Sequence, residues 1–322
     1  MLHDTRNRHV GYLRLSVTQA CQLRCIYCRP GFHQNHTLGM LTPAEFGLIA
    51  DHLIRRHGVR KVRITGGDPT ARGDLAEIIQ CISGGHPDID LAMSTNGMAL
   101  DRLAQICKDA GLKRVNISLD TLDEATFEHL SGRRGVGNVV AGIDAAIAAG
   151  LMPIKLNMVV MRGINDGQLE SIVHFAAQRD LPLRFIELMP MGPLADNWHK
   201  HYVPAASIRR AIDPLTISWR ALEQGAASSR DYRVTLRDGR DVTLGFITPM
   251  SCNFCGNCNR LRISCTGGIF PCLMDQPRGS LLESLRPVYD PDRFDALLAG
   301  ALTQKAAEHP HDGFVVMTSI GG

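Results

Sequence analysis

Residues 12–28 read YLRLSVTQACQLRCIYC. The first seven, Tyr12 to Thr18, alternate apolar and polar side chains and are rich in branched residues, the pattern of a strand with one buried face. The remainder sets Cys21, Cys25 and Cys28 on a short loop directly past that strand. Further along the chain the same strand pattern returns at Lys61 to Thr65, Asp90 to Thr95, Arg114 to Leu119, Pro153 to Val160 and Leu183 to Leu188. Helical patterns lie between these strands. One, Pro43 to His57, opens with Thr42 as cap, Pro43 at the first helical position and Glu45 in an acidic first turn. Asp101 to Ala110 stops at Gly111, Asn138 to Ala149 stops at Gly150, and Asp166 to Arg179 is a further amphipathic run. Six strands alternating with helices predict a parallel sheet covered on its faces. No GxGxxG follows the first strand, which disfavours an open dinucleotide-binding sheet. The expected fold is α/β, an incomplete (β/α)6 TIM-like barrel with its chemistry at the C-terminal strand ends.

The chain has 322 residues, 44% hydrophobic and 21% charged, with a net charge of +3. These values fit a globular protein with a large core and exclude a disordered chain or a disulfide miniprotein. The charge is too mild for a nucleic-acid wrapper. Met1 to Val10 holds no apolar leader, and the Ala-rich stretch from Val139 to Pro153 is broken by Asp144 and too short to span a bilayer. A soluble cytoplasmic protein with no membrane or nucleic-acid partner is expected. After Met189 the pattern changes. Met189 to Pro204 reads as a loop, in which Trp198 is a packing anchor and His199 and His201 are exposed. Asp231 to Leu236 and Asp241 to Ile247 flank a turn at Asp238-Gly239, and Pro291 to Ala307 reads as a helix. The expected division is a barrel over 1–200 and a smaller α+β region over 201–322.

Ten cysteines in a reducing compartment point to ligands rather than disulfides. Cys81 and Cys107 lie in helical stretches and read as core residues. Cys21, Cys25 and Cys28 can converge on a metal centre, and three thiolates leave one iron of a [4Fe–4S] cube open to an exogenous molecule. Zinc held with His33 or His36 is the rival for that loop. The second group gives Cys255-x2-Cys258, thirteen residues, then Cys272, with a Gly267-Gly268 turn that can fold Cys272 back. A zinc ribbon completed by Cys252 or Cys265 is the rival there. Lys61, Arg63, Lys155 and Arg184 fall on the inner strands, where buried cations need anions. Either a bound anion or a carboxylate such as Glu187 would serve.

The cysteine loop with Tyr27 before its last cysteine, and Ile64-Thr65-Gly66-Gly67-Asp68-Pro69 after the second strand, resemble the radical S-adenosylmethionine (SAM) superfamily. That family usually has Glu where Asp68 stands, and Asp-Arg where Gln19-Ala20 precede Cys21. The blocks at Leu13 to Thr18, Val115 to Asp120, Lys155-Leu156-Asn157, Arg184 to Pro190 and Phe254 to Arg262, with the terminal Gly321-Gly322, narrow the resemblance to the GTP 3′,8-cyclase family of molybdenum-cofactor biosynthesis.

The resemblance implies two [4Fe–4S] clusters, one on Cys21, Cys25 and Cys28 and one on Cys255, Cys258 and Cys272. It implies SAM at Tyr27, Gly66, Gly67, Asp68, Ser94, Ser118 and Met189. It implies GTP held by Arg14, Lys61, Arg63, Ser94, Lys155, Arg184, Arg260, Leu261 and Arg262, with Arg260 and Arg262 also serving catalysis, and the Gly-Gly tail reaching the site. By the same resemblance, a low-potential donor would reduce the first cluster, SAM would yield methionine and a 5′-deoxyadenosyl radical, and that radical would take hydrogen from C3′ of GTP. C3′ would then bond to C8, and a further electron and proton would give (8S)-3′,8-cyclo-7,8-dihydroguanosine triphosphate. The resemblance also implies a separate cyclic pyranopterin monophosphate synthase that uses the product. A homodimer belongs to the same resemblance. The rivals are another radical SAM enzyme with an auxiliary cluster and a non-enzymatic zinc protein.

Overall fold

The computed structural model describes residues 1–28, 39–223, 228–309 and Ile320. His33, His36 and the Gly321-Gly322 tail lie outside the described residues.

Six parallel strands form the centre of the sheet: β1 (Tyr12–Ser16), β2 (Lys61–Thr65), β3 (Asp90–Thr95), β4 (Arg114–Ser118), β5 (Lys155–Val160) and β6 (Leu183–Glu187). The intervening helices include α1 (Pro43–His57), α2 (Leu75–Ser83), α3 (Leu100–Asp109), α4 (Glu124–Ser131), α5 (Val136–Ala148) and α6 (Leu169–Gln178). The cap foreseen at Thr42 is present, and Glu45 makes it a capping box: the Thr42 hydroxyl accepts from the Glu45 amide at 3.2 Å, and the Glu45 carboxylate accepts from the Thr42 amide at 2.8 Å. Alternation decides which strand face meets the helices. Leu13, Leu15, Val62, Ile64, Val115, Ile117 and Phe185 enter the same core as Phe46, Ile49, Ile78 and Ile143 from the helices. Arg14, Arg63, Asn116, Lys155 and Arg184 take the intervening positions and so face inward.

The chain beyond residue 200 adds to this same sheet at both edges. On one side β9 (Asp241–Ile247) runs parallel to β6, followed by antiparallel β8 (Ser229–Leu236) and β7 (Thr216–Ala221). On the other side β10 (Arg260–Ile263) runs parallel to β1, and β11 (Ile269–Phe270) pairs back antiparallel onto β10. The order is β11-β10-β1-β2-β3-β4-β5-β6-β9-β8-β7. The foreseen hairpin about Asp238-Gly239 is β8–β9, and β7 is a third strand that its mixed exposure hid from the sequence pattern. Met189–Pro204, expected as a loop, contains a turn at Gly192–Leu194 and a short helix at Trp198–His201, where Trp198 packs edge-on against Tyr202 at 4.9 Å. His199 is exposed and His201 contacts the Arg162 carbonyl.

The C-terminal helix, Pro291–Thr303, packs on α1. His52 and His57 of α1 share the Asp295 carboxylate at 2.7 and 2.6 Å, and Tyr289 bonds the other nitrogen of His52.

Candidate active site

The loop after β1 is fastened on two sides. Its amides at Arg24 and Ile26 donate to Ser131 and Leu130 at the end of α4, at 2.7 and 2.9 Å. Its other side lies on the end of β2, where Gly67 N donates to Thr18 O at 2.7 Å and Asp68 N to Ala20 O at 2.8 Å. A Cβ on Gly67 would stand 2.4 Å from the Ala20 oxygen, so only glycine permits this approach. Cys21, Cys25 and Cys28 form no disulfide and are partly buried. Burial pushes the Cys25 thiol well up, and the neighbouring charges of Asp120, Cys28 and Cys21 push it further. Tyr27 donates to Asp120, whose other oxygen accepts the Val159 amide at 2.8 Å. Burial raises the Asp120 carboxyl to about 6 against those two bonds.

Asp68 is buried and accepts from the Thr70 amide and hydroxyl, the Thr95 hydroxyl and the Asn96 amide at 2.5–3.1 Å. Its carboxylate therefore joins the end of β2 to the end of β3. Asn96 in turn reaches the Cys21 sulfur at 3.5 Å and the Gln22 side chain at 3.0 Å. Ser94 accepts from Arg63 at 3.3 Å, and Ser118 stands exposed at the end of β4. Met189 packs on a small apolar group of Met191, Phe270, Met274 and Ile320, with Cys272 against the same group.

The lumen carries the cations. Register sets Arg14 beside Arg262 on one side and Arg63 on the other, and Tyr12 beside Arg260 and Lys61. Across the sheet Asn116 pairs with Lys155 and Asn157 with Arg184. Glu187 does not neutralise these cations. It accepts from the amides of Ala205, Met250 and Ser251 and from the Ser251 hydroxyl, a structural pin. The carboxylate partners are Asp231, 2.8 Å from Arg184, and Asp90, 3.4 Å from Lys61 and 2.6 Å from Arg114. Gly245 makes room for the first pair, since a Cβ there would meet Asp231 at 2.3 Å. Arg114, on the inner face of β4, was not singled out from the sequence. Its one signal was inward alternation.

These pairs do not offset the positive field. Burial lowers Arg14 well below its usual value, and Arg262, Arg63 and Arg260 add to the shift against an opposing pull from Tyr12. Burial, then Arg260, brings Arg262 down to about 10, and burial, then Arg184, brings Lys155 down to about 8. Burial alone would raise Tyr12, yet Arg63, Arg14, Arg260 and Lys61 pull it to about 8. Arg63 Nε, Arg184 Nε, Asn116 Oδ1 and Asn157 Oδ1 are buried without a hydrogen-bond partner. A lumen of mutually repelling cations with unfilled donors and acceptors suits a polyanion with polar groups of its own.

The second cysteine group lies at the other end of the strands. Cys258 precedes β10, whose Arg260 is level with Tyr12 at the start of β1, whereas Cys21 follows the end of β1. The β10–β11 hairpin returns the chain so that Cys272 comes back toward the level of Arg260, as the Gly267-Gly268 turn foretold. Burial raises Cys255 and Cys272, each pushed further by neighbouring thiolates of the same triplet. Cys258 is lowered: burial opposes ionisation, but Lys305, Arg260 and Arg262 outweigh it. Arg260 stacks over Phe254 at 5.1 Å, and Leu261 turns its side chain into the core. Cys252 is exposed and accepts from Arg230 at 2.7 Å, and Cys265 is buried with Arg72 as its charged neighbour.

Both triplets fit multi-iron clusters better than single ions. Tetrahedral zinc at 2.3 Å holds its sulfurs about 3.8 Å apart. Among the described residues, the one set of three ligand atoms all within 4.8 Å is His52, His57 and Asp295, not either cysteine triplet. No described helix is long and apolar enough to cross a membrane.

A partial parallel barrel with a three-cysteine loop past its first strand and Gly66-Gly67 past its second defines a radical SAM protein. Residues 15–176 match the Radical SAM superfamily, and residues 181–311 match Molybdenum Cofactor Synthesis C. The crystal structure of Streptococcus suis SuiB bound to S-adenosylmethionine shares the fold at a TM-score of 0.63 and 15% identity, covering 92% of this chain and 68% of that one. The GTP 3′,8-cyclase of Rhodopirellula baltica is 39% identical over 97% of this chain and 88% of its own length. That of Erythrobacter litoralis is 40% identical over 90% and 87%. The chain belongs to the GTP 3′,8-cyclase family.

Proposed function

We propose that this chain is a GTP 3′,8-cyclase, a lyase that forms the C3′–C8 bond of GTP in the first step of molybdenum cofactor biosynthesis. The observation that carries the reading is the cation-lined lumen running between two cysteine triplets. The strand between their levels, Tyr12 to Ser16, is roughly 13 Å long at about 3.3 Å per residue. An elongated nucleoside triphosphate fits such a passage.

Cys21, Cys25 and Cys28 would hold one [4Fe–4S] cluster with SAM, and Cys255, Cys258 and Cys272 a second. Together the first cluster and SAM supply the 5′-deoxyadenosyl radical. The chain's own part is to bind and orient. Arg14, Arg63, Arg260 and Arg262 present guanidinium groups to the triphosphate, with Lys61, Lys155 and Arg184 further round the wall. Ser94 is assigned to both ligands, and the bond it accepts from Arg63 at 3.3 Å supports its place beside the triphosphate cations. Gly66, Gly67, Ser118, Tyr27 and Met189 line the SAM side. The role of Asp68 is to fix the ends of β2 and β3, leaving SAM to backbone groups. The lumen keeps water from the reacting carbons.

The same reading includes a low-potential electron donor, a downstream cyclic pyranopterin monophosphate synthase, a cytoplasmic location, a homodimer, and a division into a barrel over 1–200 and a cluster-bearing region over 201–322.

The test is anaerobic. Reconstituted enzyme is mixed with SAM and reductant, with and without GTP, and products are followed by mass spectrometry. Growth of 5′-deoxyadenosine with GTP, together with a cyclised triphosphate isomeric with GTP, supports the proposal. Deoxyadenosine with untouched GTP would refute the substrate.

A further inference from the structure

Among the described residues, the loop that bears Cys255 and Cys258 has little regular structure. Its regular structure is a single turn at Cys255–Asn257, closed by Cys258 N to Cys255 O at 3.1 Å. Such a turn is marginal by itself. Two buried cations from distant parts of the chain grip its carbonyls. Arg8 Nη1 donates to Cys255 O at 2.8 Å and to Ala307 O at 3.1 Å, and Nη2 donates to Ala306 O at 2.7 Å. Lys305 Nζ donates to Arg260 O at 2.7 Å and to Cys258 O at 3.3 Å. Arg8 is 9% exposed and Lys305 is 4% exposed.

We infer that Arg8 and Lys305 are positioning residues for the second cysteine triplet, Arg8 by geometry and Lys305 by charge. The inference rests on the proposed second cluster.

The two cations differ in how they are balanced. Asp4 takes the Arg8 Nε at 2.5 Å, so that charge is neutralised locally. What remains is a planar fork tying the loop to the segment after the C-terminal helix, a geometry an ammonium does not reproduce. Lys305 has no carboxylate within ion-pair distance among the described residues. Carbonyl dipoles alone seldom stabilise a buried ammonium, which calls for an anion. Three thiolates around a [4Fe–4S]2+ core leave one net negative charge, and a reduced core leaves one more. Lys305 thus favours the reduced state and raises the reduction potential.

The experiment uses the full chain with Cys21, Cys25 and Cys28 replaced by Ala, so that only the second site can be loaded. Iron content, the reduction midpoint followed by electron paramagnetic resonance, and the rate of iron loss to a chelator are measured. The background is expected to take up about four irons, as one cubane requires. Lys305→Gln keeps donors for the carbonyls and removes the charge, and its midpoint should move to a more negative value. Lys305→Arg should restore it. Arg8→Lys should leave the midpoint in place but lose iron about tenfold faster, the usual scale for disturbing groups behind metal ligands. Midpoints and loss rates equal to the background in Lys305→Gln and Arg8→Lys would overturn the inference. A background that takes up no iron would instead overturn the second cluster itself.

Discussion

Cys21, Cys25 and Cys28 hang beyond the C-terminal end of β1, and the strongest outside charge acting on Cys25 is the carboxylate of Asp120. Cys255 and Cys258 stand before the N-terminal end of β10, and the charges that act most strongly on Cys258 are Lys305, Arg260 and Arg262. The two triplets have the same ligand count but opposite surroundings. A negative neighbour resists an added electron, so a cluster held beside Asp120 would be favoured as a one-electron donor. A positive neighbourhood attracts anions, so a centre beside the arginines would suit substrate. On the proposed reading, the opposite charge around the two triplets is what would separate their roles.

The largest effect that can break this contrast is loss of either set. Cys25→Ala should abolish 5′-deoxyadenosine formation, read by mass spectrometry, whereas Cys258→Ala should still cleave SAM slowly while leaving GTP unconverted. Equal loss of SAM cleavage in both would end the division of roles. Next, Arg262→Ala should weaken GTP binding by ~2–4 kcal/mol, the scale for removing a buried charged partner, with SAM affinity unchanged in calorimetry. Smaller still, Asp68→Glu adds a methylene to a buried carboxylate already held by four donor groups, and should cost about 1–3 kcal/mol of stability in a denaturant melt. The smallest is a pH effect. Lys155 has its value lowered to about 8, so its charge is present below that pH and lost as pH rises through it. kcat/KM for GTP should therefore fall above pH 8, and Lys155→Arg should flatten that limb. Tyr12, also near 8, acts in the same direction because its phenolate repels the triphosphate. Tyr12→Phe separates the two.

Much of this was legible in local pattern. The strands β2 and β3 and the helix α1 fall on the residues their alternation and caps indicate, and the hairpin that returns Cys272 was marked by Gly267-Gly268. What pattern does not encode is the choice of distant partner. Nothing around Asp241 or Arg260 says that β9 will extend the edge at β6 and β10 the edge at β1. Arg8 sits in a charged opening stretch that looks solvated, yet its target at Cys255 lies 247 residues away. Asp120 and Arg114 each follow or open an ordinary strand, and only the fold turns one toward Tyr27 and the other toward Asp90.

The edge strands carry a consequence for synthesis. While the chain is being made, β1 is complete long before β10, and β6 before β9. Until the last quarter emerges, the six-strand sheet shows two bare parallel edges, the kind of surface that pairs with other chains. A ribosome that stops after residue 240 would release an aggregation-prone product with half its cysteine ligands missing. On the proposed reading, a cluster on the second triplet would be loaded late, after Cys255, Cys258 and Cys272 have all been added.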